Sequence, residues 1–161
     1  MSQEEAGVDP ETSLGYLLKE ASSALRVAME AVLRPLGMTV TQYSCLELLA
    51  QRPGLSSSDL ARGAFVTRQS MNVLLQAMER GGYVRRPAEA SVGKALPTRL
   101  TPRGRRSLGK ATVAVRSVEA RMLSALTRDE QSEAFRLLQS MTRALGDDPA
   151  RTGGRLDGRH R

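Results

Sequence analysis

One cysteine, one histidine and no tryptophan occur among the 161 residues of this chain. A single thiol, Cys45, excludes an internal disulfide framework and a multi-cysteine zinc site. The histidine, His160, lies in the C-terminal tail, so the folded body lacks the imidazole of a His-based triad or of the usual zinc ligand sets. No carboxylate cluster suggests another metal, and no cofactor is expected. Aromatics make up only 3% of the residues, so the core has to be aliphatic. No apolar run approaches the ~20 residues of a membrane helix. The acidic opening "MSQEEAGVDPET" is unlike the positive-then-apolar pattern of a signal peptide and reads as a loose leader, residues 1–12. The expectation is a cytoplasmic protein with no membrane partner.

What is present is positive charge, unevenly placed. The net charge is +7. Residues 1–51 hold 3 basic and 7 acidic side chains, residues 107–161 hold 10 and 7, and residues 52–106 hold 11 and 3. The middle third therefore carries net +8. A basic patch confined to one structural segment is the electrostatic footprint of phosphate binding, although an Arg-rich surface can also serve solubility alone.

Apolar residues in 13–34 recur at steps of three and four and predict a long helix, with Ser13 as its cap and Pro35 as its break. Thr39 with Gln42, and Ser56 with Asp59, are capping-box pairs that open a helix to about residue 51 and a very short one in "SSDLARG". Thr67 is placed to cap "RQSMNVLLQAMER", which Gly81-Gly82 ends. "YVRRP" and "LPTRLT" read as two strands of a hairpin with Lys94 near its tip. Thr101-Pro102 opens a long helix whose seam runs from Leu108 to Met122 and Ala125. Thr127 with Glu130 opens a last helix, and the tail from 146 to 161 has a disordered composition. The fold class is mainly α with a small β-hairpin: a winged helix-turn-helix over 39–101, flanked by helices over 13–36 and 105–145. The flanking helices carry apolar faces suited to a second copy of the chain.

The stretch "VTRQSMNVLLQAMERGGYV" explains the central charge. Met71, Leu74, Leu75 and Met78 form an apolar side. Arg68, Gln69, Asn72 and Gln76 lie elsewhere on the helix, in residue types able to bond guanine and adenine edges in a major groove. Thr67, Ser70 and Ser57 are hydroxyls at the helix starts. Arg85 and Arg86 at the hairpin base, Lys94 at its tip and Arg99 on its return strand suit phosphates or the minor groove. These eleven residues are the candidate contacts with double-stranded DNA. A solvated polar face would explain one such helix alone; the short helix, capped polar helix, Gly-Gly and basic hairpin in sequence argue against it.

At this point the chain resembles the MarR family of bacterial transcription regulators. The resemblance rests on "GMTVTQYSCLELLAQRPGLSSSDLAR", "VTRQSMNVLLQAMERGGYVRR" and "LTPRGRR", and spans residues 13–145. It implies a homodimer whose first and last helices form the dimer body and whose two winged modules read a pseudo-palindromic operator. It also implies a repressor released by a small, often aromatic or phenolic, effector. Wings of this family often carry an Asp followed by Arg near the tip. Here the corresponding run is Val92-Gly93-Lys94, which lacks the Asp that would brace the tip.

Tyr16, Met38 and Tyr43 are the candidate effector residues, with half-buried packing as the other role for the tyrosines. Cys45 sits mid-helix beside Leu46 and reads as core; a thiol sensor is the competing reading. An enzyme is disfavoured because no Gly-rich nucleotide-binding turn and no room for a Rossmann sheet remain. A winged-helix interaction protein without sequence-specific DNA binding is the other alternative.

Overall fold

The computed structural model describes residue 9, residues 11–86 and residues 97–146. Lys94, most of the leader and the tail beyond Gly146 lie outside the described residues. At the end of the leader Asp9 accepts the Glu11 N–H at 3.0 Å.

Side-chain caps set where the helices begin. Ser13 accepts the Tyr16 N–H and opens α1, Leu14–Leu33. Thr39 and Gln42 satisfy each other's backbone N–H groups at 3.1 and 2.9 Å and open α2, Val40–Gln51. Ser56 and Asp59 do the same for α3, Ser57–Gly63, and the bonds from Ser56 hold the Asp59 carboxyl below the usual carboxylate range. Thr67 caps α4, Arg68–Arg80. Each such cap contributes about 1 kcal/mol by occupying an N–H that the helix leaves open. α1 ends at Leu33, just ahead of Pro35, which lies in a 3₁₀ turn, Arg34–Leu36, closed by Gly37 at φ 69°.

The chain forms two compact units, Met1–Glu119 and Ala120–Arg161. In the first, Leu46 and Leu49 of α2, Leu60 of α3, and Met71 and Leu75 of α4 are fully buried together with Leu33 and Cys45. Each buried aliphatic side chain contributes on the order of 1.5–3 kcal/mol. Among the described residues the hairpin's ladder is β1, Val84–Arg85, and β2, Arg99–Leu100, antiparallel, with Val84 opposite Leu100 and Arg85 opposite Arg99. A third segment joins it through Gly54 N–H to Thr98 O and Thr98 N–H to Leu55 O, which buries Thr98.

α5, Pro102–Leu123, starts on a tight junction with the hairpin. The Thr101 hydroxyl donates to Gly82 O at 2.5 Å and accepts the Gly104 N–H at 3.0 Å. The Thr101 N–H bonds Tyr83 O at 3.1 Å. A side chain at Gly104 would overlap the Tyr83 carbonyl. The Arg103 guanidinium covers the Tyr83 ring at 4.9 Å.

In the second unit, the end of α5 turns at Ser124 into α6, Arg128–Gly146. The seam expected to reach Ala125 stops at Leu123, and Gln131 Nε2 closes the turn by donating to Leu126 O at 3.1 Å. Thr127 and Glu130 form the expected reciprocal cap. No residue of α6 is buried, and Phe135, Leu137, Leu138 and Leu145 are exposed.

Candidate nucleic-acid interface

α3 and α4 are joined by a tight turn in which the Val66 N–H bonds Ala61 O at 3.0 Å. Phe65, in that turn, is 95% exposed and is the one non-glycine at positive φ among the described residues, at 57°. The turn holds α4 with Met71, Leu75 and Met78 inward. At about 100° per residue the opposite direction runs through Gln69, Val73, Gln76 and Arg80. All four are exposed. Arg68 is exposed in the first turn, whereas Asn72 lies on a flank and is half-buried. Thr67 and Ser70 face each other: Thr67 Oγ1 accepts the Ser70 N–H at 3.1 Å and donates to Ser70 Oγ at 2.9 Å. Ser57 is half-buried at the first position of α3.

The hairpin sorts its arginines. Val84 and Leu100 share the register position that packs inward or half-inward, so Arg85 and Arg99, one position along, stand on the opposite face and are exposed. Neither belongs to any ion pair among the described residues. Arg86 does: its Nε donates to Glu79 Oε2 at 3.0 Å, with the guanidinium side chain only 19% exposed. It ties the hairpin base to the last turn of α4. Val73 is an apolar residue on the otherwise polar outward line of α4, 63% exposed. The Arg86–Glu79 pair bridges helix and strand, and nothing in its spacing announces it.

Of the effector candidates, Met38 belongs to the buried core and Tyr43 packs against that core. Met38 lines a cleft of about 290 Å³ with Glu30, Arg34, Gly37 and Thr39. Tyr16 is exposed on α1. Tyr43 is half-buried near the middle of α5; burial raises its phenol above the usual value, opposed by a hydrogen bond with Thr112. Cys45 is fully buried, and burial pushes its thiol up to about 12. The reactive species in peroxide oxidation is the thiolate. Peroxide treatment is therefore expected to leave DNA binding unchanged, while Cys45→Ala lowers stability by about 1 kcal/mol. A gel shift with and without peroxide checks this; release by peroxide that the Ala variant resists would restore the sensor reading.

A three-helix module with a polar, capped third helix and a basic two-stranded hairpin is a winged helix-turn-helix, a nucleic-acid-binding class. A family model described as the MarR family matches residues 36–95. The HTH-type transcriptional repressor Rv2887 of Mycobacterium tuberculosis is 44% identical over 135 residues, covering 84% of this chain and 97% of the relative. The crystal structure of the M. tuberculosis protein Rv2887 in complex with DNA is similar with a TM-score of 0.69 at 43% identity, over 81% of this chain and 98% of that chain. Its complex with salicylic acid gives 0.68 at 45% identity, over 81% and 96%. The chain belongs to the MarR family.

Proposed function

We propose that this protein is a dimeric transcriptional repressor that binds a pseudo-palindromic operator and leaves it when a small aromatic acid binds. One observation carries the DNA reading: exposed Gln69 and Gln76 stand on the side of α4 opposite its buried one, with Arg68 exposed in the first turn, beside a hairpin that exposes Arg85 and Arg99 with no carboxylate partner among the described residues. The solved DNA and salicylic acid complexes of the similar M. tuberculosis protein support both halves of the reading. The cleft beside Met38 offers the Arg34 guanidinium for a carboxylate. Selection from a random duplex library tests the proposal. Two related half-sites about one helical turn apart should be enriched. Failure to enrich any sequence would leave a winged-helix protein without sequence-specific binding.

Dimerisation is proposed through residues 13–36 and 105–145. Leu14, Leu17 and Leu18 of α1 are exposed, as are Phe135, Leu138 and Leu145 of α6. Apolar stripes of this extent mark interfaces. Light scattering at micromolar concentration should give twice the monomer mass of 17.5 kDa; a monomer contradicts the assembly. No helix among the described residues is long and apolar enough to cross a membrane.

A further inference from the structure

Val73 occupies the middle of the outward line of α4, between Gln69 one turn before and Gln76 one turn after. It is 63% exposed, while Met71 and Leu75 on the same helix are fully buried. A single exposed valine is ordinary on a protein surface. This position is not ordinary. It lies directly opposite the buried side, where a helix entering a groove comes closest to the base edges. Valine there gains nothing for the fold: its β-branch restricts χ1 in a helix, and its methyls stay in water. Its neighbours on that line, Gln69, Gln76 and Arg80, are polar, so any surface it meets must also suit amides and a cation. The major groove of B-DNA meets both conditions. It presents donors and acceptors, and the apolar group among them is the C5-methyl of thymine.

We infer that Val73 is a specificity-determining residue that packs its methyl groups against a thymine C5-methyl in each half-site. The inference rests on the DNA-binding reading above, and its test separates the two. The probe is the tightest duplex recovered from a random library. Each thymine in it is replaced singly by deoxyuridine, which removes the methyl and leaves every hydrogen-bonding group in place. At one thymine per half-site the wild-type protein should lose affinity about four-fold, the worth of one buried methyl. Replacing the symmetric pair should cost roughly 15-fold. Val73→Ser should bind the thymine and deoxyuridine duplexes equally at that position. Its thermal melt should match wild type, because the site is exposed. If no thymine is sensitive in the wild type, or if Val73→Ser keeps the wild-type preference at every thymine, the inference is overturned while DNA binding stands. If the library enriches nothing, the DNA reading itself fails and takes this inference with it.

Discussion

Gly104→Ala is expected to lower the melting temperature by about 5–10 °C, whereas Gly109→Ala, five residues further along the same helix, is expected to raise it. The two substitutions are chemically identical. At both positions alanine gains about 1 kcal/mol of helix propensity over glycine. At Gly109 nothing lies within 4 Å of the added methyl, so that gain stands alone. At Gly104 the methyl would overlap the Tyr83 carbonyl oxygen and come within 3.1 Å of its carbon. The obstacle is backbone, which cannot rotate away. The start of α5 has to lift off the Tyr83 backbone, and the bonds from Thr101 to Gly82 O and Tyr83 O stretch with it. Overpacking against fixed atoms costs about 3 kcal/mol or more, which outweighs the propensity gain. Melting curves at matched protein concentration check the opposite signs. Equal shifts would mean that the Thr101–Gly104 junction does not fix the hairpin.

The second large effect concerns Arg85 and Arg99. Like charges directly opposite on a two-stranded ladder destabilise it. Neither arginine belongs to an ion pair among the described residues, and Glu79, at the end of α4, is taken by Arg86. Their placement suits an external anion, a backbone phosphate. Arg85→Ala with Arg99→Ala should leave the unliganded protein as stable or slightly more stable. On DNA the same double variant should lose affinity by at least about 10²-fold at 0.1 M salt, on operator and random duplexes alike. With four contacts removed per dimer, the salt dependence should flatten by roughly three to four units. Titrations at several salt concentrations measure the slope. An unchanged slope would place both side chains away from phosphate.

The element order was legible because helix starts are written in neighbouring residues. Thr39 with Gln42, Ser56 with Asp59, Thr67 and Thr127 with Glu130 act over three positions, so the hydrogen bonds they make could be read in advance. Apolar spacing likewise placed Met71, Leu75 and Met78 inward. What escaped depends on distant partners. The addition of Gly54–Leu55 to the hairpin joins segments more than forty residues apart. The reason for Gly104 is a carbonyl twenty-one positions earlier. The left-handed Phe65 follows from closing the α3–α4 turn, and no feature of phenylalanine forecasts it. The candidate interface was legible in residue types but less so in aim. Gln69 and Gln76 lie on the outward line, Asn72 lies on a flank, and Arg86 is engaged by Glu79. Among the effector candidates, residue type did not forecast that Met38 is buried with Tyr43 packed against the same core while Tyr16 is exposed on α1.

The claim that α4 reads sequence is tested most directly by Arg68→Ala. Wild-type and variant protein are titrated on the library-selected duplex and on a scrambled duplex of equal length and composition, at the same salt concentrations. A base contact is worth about 1–3 kcal/mol of discrimination for each good bidentate pair, and a symmetric dimer makes it twice. The account predicts that Arg68→Ala weakens binding to the selected duplex while binding to the scrambled duplex changes little, so the gap between them narrows by about 10²-fold or more. An equal loss on both duplexes would show that Arg68 touches only the backbone, and would contradict the assignment of the α4 N-terminus as the base-reading end.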